Sequence, residues 1–222
     1  MSSLKMHIAI STKLKEKFSF GNDFLLGAIL PDIYKILLKE GNLRKTHFEI
    51  EKYIPNINKF CEEYKNKKSE IVYGYLAHLV QDKVWFDEYV RKYAEDLKDG
   101  NYRYVKDNAI HTEKDFFDKL YIDYSIIDKY IINKYNLNIE EIKENIKKLE
   151  KNEEIIKIID KTIIDYKYDV NDGITFFDIK DAEEYFERAV LETEKILKRF
   201  MVDWGKRVIS WQILYFKVQY NM

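Results

Sequence analysis

Apolar residues recur at three- and four-residue steps along much of the chain, which predicts amphipathic helices. The clearest run is residues 69–95, where Ile71, Tyr75, His78, Leu79, Asp82, Trp85, Phe86 and Tyr89 fall on one stripe. Residues 4–18 alternate apolar and charged positions at helical spacing and stop before Phe20-Gly21-Asn22-Asp23. Asp23 is placed to cap a second helix through Phe24–Leu30, which Pro31 should end or kink. Thr46 is placed as the N-cap of a helix beginning near His47, with Pro55 dividing it. Asp99-Gly100-Asn101 marks a turn, and Tyr102–Ile110 is the least regular part of the first half. A further helix is expected from His111 and Thr112, with Asp115 standing like the acid of a capping box. Asn138-Ile139-Glu140-Glu141 opens another in the same manner. Residues 139–165 alternate Ile/Leu with Lys/Glu, as in an amphipathic hairpin with a solvated face. After the turn at Asn171-Asp172-Gly173, residues 181–184 open a long helix to about Phe200. The tail from Gly205 to Met222 carries Trp211, Tyr215, Phe216 and Tyr220. It is expected to be helical and to close over the core; docking on a membrane surface is the other use of such a segment.

Composition supports this picture. Seven glycines and two prolines in 222 residues punctuate the chain rarely, so long helices are favoured and the expected class is all-α. No linker or repeat divides the chain, and one domain, 1–222, is expected. A formal net charge of −1 without a basic stripe gives no strong signal for duplex nucleic acid. A small phosphorylated substrate stays open, because metal ions can supply the positive charge. The single Cys61 excludes an internal disulfide and a cysteine-based zinc knuckle, and reads as a helix-face residue. The first residues carry no secretory signal and no segment approaches the ~20 apolar residues of a membrane span, so a cytoplasmic protein is expected.

The four histidines are more informative. All lie between residues 7 and 111, and two are followed four residues later by aspartate: His78 with Asp82, and His111 with Asp115. On a helix such a pair shares one face, so both side chains can meet one ion. Imidazole nitrogen and carboxylate oxygen both suit Zn²⁺. Either pair alone is weak evidence and reads first as a surface contact or a satisfied core histidine. His78 differs in lying on an apolar stripe, where burial beside Asp82 demands partners or a metal. Taken singly, Asp32 after Pro31 reads as a helix stop, His7 as a packed core residue and His47 as a residue at a capped helix start.

In order along the chain, Met6-His7-Ile8-Ala9, Leu25-Leu26-Gly27-Ala28-Ile29-Leu30-Pro31-Asp32, Thr46-His47-Phe48, Tyr73-Gly74-Tyr75-Leu76-Ala77-His78-Leu79-Val80-Gln81-Asp82 and the His111/Asp115 pair resemble the zinc-dependent phospholipase C family, whose superfamily also holds single-strand nucleases. The resemblance covers about the first 120 residues, leaving 121–222 as a helical second half. It implies a helical fold with up to three clustered zinc ions. Asp32, His47, His78 and Asp82 would hold one, Asp82 bridging to a second. His111 with Asp115 would hold another, and His7 a further one. Asp32 would either ligate or serve as general base. Secreted members use a free N-terminal tryptophan as a ligand, and no tryptophan lies near the start here. Where the family expects a histidine six residues after the central-helix aspartate, this chain has Glu88, with Asp87 beside it as a substitute ligand. A carboxylate there makes the site richer in oxygen and admits Mn²⁺ or Mg²⁺ beside zinc. Two or three ions are expected.

Such a site implies hydrolysis of a phosphodiester or phosphomonoester by metal-activated water. The implied substrate is a phospholipid headgroup or a nucleotide, with peripheral membrane contact as a further expectation. A nuclease or nucleotide phosphodiesterase of the same superfamily is one alternative. A metal-stabilised binding domain without turnover is another.

Overall fold

The computed structural model describes residues 2–38, 43–51, 53–163 and 173–219, with side chains of the last helix described through 202. Its architecture is all-α with two small sheets. Helix α1 (Leu4–Phe18) starts where the Ser3 side chain accepts the Met6 amide, and it ends at Ser19 in the left-handed region. Helix α2 spans Asn22–Leu37 and runs on through Pro31. Its N-cap is Gly21 rather than Asp23, and the Gly21 amide donates to the Glu70 carboxylate at 2.7 Å.

Thr46 closes a short helical turn, α3 (Leu43–Thr46), instead of opening a helix at His47. The reason is local: Phe48 has φ 54° and Tyr53 φ 68°, which no helix tolerates, and the chain folds back as a hairpin, β1 (Glu49–Glu51) against β2 (Ile54–Pro55). Helix α4 (Ile57–Tyr64) follows, capped by Asn56. The long apolar stripe becomes α5 (Glu70–Val84), a π-helical turn (Trp85–Val90) and a short α6 (Arg91–Tyr93). The irregular stretch after it is an antiparallel sheet, β3 (Ala94–Asp96), β4 (Asn101–Tyr104) and β5 (Ile110–Thr112), in the order β3-β4-β5. His111 is therefore a strand residue paired with Tyr102, and α7 (Glu113–Lys134) begins after it, with Thr112 as N-cap accepting the Asp115 amide.

Helices α8 (Ile139–Lys147) and α9 (Glu153–Thr162) form the expected amphipathic pair, with caps at Asn138 and Asn152. Of the turn expected at residues 171–173, only Gly173 is described, with φ 73°. The last helix, α10, spans Ile179–Gln219, so its backbone continues well past Phe200. The aromatic side chains of the tail lie outside the described residues. Among the described residues, no helix is long and apolar enough to cross a membrane.

The core is one apolar cluster reaching from Leu4 to Leu197. At its centre α2 crosses α5, and the crossing is backbone to backbone. A Cβ on Gly27 would stand 2.1 Å from the Ile71 carbonyl oxygen, and one on Gly74 2.0 Å from that of Phe24. No side chain fits in either gap, so these two glycines set how closely the helices approach. That approach puts residues one turn further along both helices within reach of each other.

Candidate metal centre

His78 lies one turn beyond Gly74, and the close crossing brings its Nδ1 to 2.8 Å from the Ala28 carbonyl of α2. A carbonyl only accepts, so Nδ1 carries the proton and donates. When the ring is neutral its lone pair is at Nε2, which points into the protein. Three more atoms of ligand type lie around it. His47 Nε2 is 3.2 Å from His78 Nε2, Asp82 Oδ2 is 3.3 Å from it, and Asp32 Oδ1 is 3.4 Å from His47 Nε2. His47 to Asp82 Oδ2 is 3.6 Å. The opposite nitrogen of His47 is held by the Thr46 hydroxyl at 2.9 Å, and Tyr75 donates to the Thr46 carbonyl, which steadies that turn.

Asp82 has a second side. Its Oδ1 receives the Ser2 amide at 2.9 Å and lies 3.2 Å from His7 Nε2, which also contacts the Ser2 hydroxyl at 3.1 Å. The His7 and His78 rings stack at 3.8 Å, so the carboxylate of Asp82 sits between two histidine-lined spaces. His7, His78 and Asp82 are fully buried and His47 nearly so; Asp32, with 14% of its side chain exposed, is the solvent-facing member.

These contacts define the electrostatics. Burial alone would push the Asp82 carboxyl up; the charge of His78 and the contacts from His7 and His78 outweigh it and hold the group well below the usual carboxylate range. Asp32 is lowered in the same way, burial being overcome by His47 and His78. Burial lowers His7, with the like charge of His78 adding to it. For His78 burial is outweighed by Asp82, and the group is raised. The whole cluster therefore favours added positive charge.

The donor set fits a metal ion. Asp32 Oδ1 and Asp82 Oδ2 are buried without a hydrogen-bond partner. A typical hydrogen bond returns only about 0.5–1.5 kcal/mol net, whereas an uncompensated buried ion costs several kcal/mol. Packing for stability would not leave such oxygens bare. Two triads, His7/Asp32/His78 and His47/His78/Asp82, each have ligand atoms within 4.8 Å of one another. Within the His47/His78/Asp82 triad the separations of 3.2, 3.3 and 3.6 Å are close to the edge of about 3.3 Å in a tetrahedron around an ion with ~2.0–2.1 Å bonds.

The structure thus brings together His7, Asp32, His47, His78 and Asp82. It does not bring Glu88, His111 or Asp115 to them. Inward positions of the π-helical turn are filled by Trp85, Phe86, Tyr89 and Val90, which leaves Asp87 and Glu88 outside. Glu88 pairs with Arg188 of α10 at 2.9 Å, and Asp87 with Lys83 and Arg91. His111 stacks on Tyr104 at 3.9 Å, and Asp115 is exposed and bonded to Thr112 at 2.6 Å.

Several participants were missed by the sequence reading. Gln81 bonds His7, the Ala28 carbonyl fixes His78, and Ser2 reaches Asp82. Asp128, bonded by Ser3, is buried on the inner stripe of α7 between Tyr124 and Ile131, and an acid on an apolar stripe is the signal that would have found it. Open spaces of about 480 Å³ beside Cys61 and Phe200 and about 370 Å³ beside Tyr53 and Phe86 are lined by none of the five residues. Among comparisons with known proteins, the family model described as zinc dependent phospholipase C matches residues 6–173, a span holding all five. No curated protein and no solved structure matches the chain.

Proposed function

Because the chain belongs to the zinc dependent phospholipase C family, we propose that it is a metal-dependent phosphoester hydrolase. The observation that carries this reading is the buried convergence of His47, His78 and Asp82 on one another at 3.2–3.6 Å, with Asp32 3.4 Å from His47. In this reading His47, His78, Asp82 and Asp32 hold one zinc ion, and His7 with the other oxygen of Asp82 holds a second. When bound, such ions supply positive charge that neutralises phosphate oxygens and lowers the pKa of water.

The protein's own groups do the rest. Asp32 is the cluster's link to solvent, so a phosphoester approaches past it. The phenol of Tyr75 lies in the electrostatic neighbourhood of Asp32. The lowered pKa of Asp32 keeps its carboxylate ionised at neutral pH, able to take a proton from the attacking water. A group so acidic is a weak base, so its contribution comes from position rather than basicity. The Ala28 carbonyl and the Thr46 hydroxyl keep His78 and His47 turned inward during this step. Between lipid headgroups and nucleotides the ligand set makes no choice.

The burial of the cluster favours one second reading, a metal-stabilised domain without turnover. Metal content of the purified chain, followed by a panel of p-nitrophenyl phosphate, bis-p-nitrophenyl phosphate, nucleotides and phosphatidylcholine, separates the two. We expect bound zinc and hydrolysis of at least one panel member, both lost together in His78→Ala. Zinc without turnover of any member supports the second reading, and full hydrolysis by His78→Ala overturns the site.

A further inference from the structure

One buried polar side chain beside the cluster does more than fill space. Gln81 is on α5, fully buried, immediately before Asp82. Its Oε1 is 2.7 Å from His7 Nδ1, and its Nε2 donates to the Ser11 hydroxyl at 3.2 Å. His7 and Ser11 are one turn apart on α1, so a single amide from α5 clamps two successive positions of α1. An amide is the neutral side chain that offers an acceptor and a donor side by side, and both are used here. The Gln81 backbone carbonyl is also bonded, by the Tyr185 hydroxyl at 3.3 Å, which ties this point of α5 to α10.

We infer that Gln81 is a positioning residue that holds His7 in its Nδ1–H tautomer and so turns the Nε2 lone pair toward a cation shared with Asp82. The argument is one of donors and acceptors. With Oε1 facing His7, Nδ1 must donate, and Nε2 is an acceptor, 3.1 Å from the Ser2 hydroxyl and 3.2 Å from Asp82 Oδ1. Two acceptors at that separation repel; Ser2 donors relieve part of this, and a cation between the two acceptors would relieve the rest. His78 has the same arrangement, since the Ala28 carbonyl takes its Nδ1–H and its Nε2 faces the other oxygen of Asp82. The two stacked rings are thus oriented alike, one by a backbone carbonyl and one by a side-chain amide. The reversed amide would set Nε2–H on Asp82 and close the His7 side to any ion. Outer partners of this kind typically change metal affinity by roughly 10- to 100-fold.

This inference rests on the metal reading above, and its test keeps the two separable. Nitrogen-15 spectra of the histidine rings in the full-length, metal-free chain report the tautomer directly. Zinc affinity is then measured by competition with a chromophoric chelator for the wild type, His7→Ala, Gln81→Leu and Gln81→Glu. We expect Nδ1–H on His7. We also expect Gln81→Leu to weaken, by roughly 10- to 100-fold, the same fraction of zinc that His7→Ala removes, with Gln81→Glu retaining it because an oxygen stays in place. An Nε2–H tautomer in the wild type, or unchanged zinc affinity in Gln81→Leu, overturns the role of Gln81. If Gln81→Leu does not fold, the wild-type spectrum decides. A wild type that takes up no zinc overturns the metal reading, while the spectrum still decides the tautomer.

Discussion

The chain contains the same four-residue spacing twice, and the two copies have different fates. His78 and Asp82 both lie within α5, both are fully buried, and their ligand atoms meet at 3.3 Å. His111 and Asp115 straddle a boundary: the histidine is in β5, the aspartate in the first turn of α7, and Thr112 between them is extended at ψ 155°. One extended residue breaks the helical phase, so four positions no longer amount to one turn. Asp115 turns back to cap its own helix, and His111 lies on Tyr104. Spacing becomes a site only when one continuous helix carries both residues and the face they share meets further donors. At α5 that face meets α1, α2 and the turn before β1, each contributing ligand atoms.

Matched alanine variants give the sharpest contrast. We expect His78→Ala to abolish zinc binding, and His111→Ala to bind as the wild type does, by metal content after desalting and by chelator competition. Equal losses in both variants would break the comparison and return His111 to the centre.

The next effect is mechanical. Gly74→Ala would push a Cβ into the Phe24 carbonyl, and backbone on both sides leaves little room to relax. Overpacking costs typically 1–3 kcal/mol, and this site belongs at or beyond the upper end, about 3 kcal/mol. Any folded fraction should bind zinc more weakly, because the crossing sets the reach of His78 to Ala28. Gly100, at the β3–β4 turn with φ 88° and open space around it, should lose only about 1–2 kcal/mol on substitution by alanine and leave zinc binding alone. Thermal melts of the two variants, each with and without zinc, check the ranking.

These cases show what was legible in the chain. The α5 stripe announced both the helix and the burial of His78 and Asp82, because periodicity and composition agreed there. The caps at Asn138 and Thr112 were equally plain, since a polar side chain three residues before its amide partner is a local signal. Asp32 and His47 could not be assigned from their own surroundings: one follows a proline within α2, the other a short turn, and only the resemblance joined them to His78. Pro31 was misleading because α2 is held along its length by α5, which outweighs the one hydrogen bond a proline removes. The sheet at 94–112 was hidden because its short strands lack a long alternating pattern. Glu88 was drawn toward the centre by analogy, but the π-helical turn and Arg188 fix it at the surface. Gln81 stood inside the most specific motif and was passed over, since an amide announces no chemistry until its two partners are known.

The smallest effects belong to the exposed pair. Thr112→Ala removes the N-cap of α7 and should cost about 1 kcal/mol, with zinc binding unchanged. For Asp115 the pH dependence has a definite sign. The Thr112 hydroxyl is the main cause of its lowered pKa; slight desolvation opposes this, and Lys114 adds to it. A carboxyl lowered in the folded state contributes stability that is complete above its unfolded value of about 3.9 and is lost as pH falls through the folded one. Acid unfolding of Asp115→Asn, followed by circular dichroism from neutral pH downward, should therefore differ slightly from the wild type above pH ~4 and merge with it below. Asp82→Asn obeys the same sign, but Asp82 is held further down by two histidines, so its gap at neutral pH should be larger and persist to lower pH. A larger acid response at Asp115 than at Asp82 would mean that the exposed pair, not the buried one, carries the electrostatic weight.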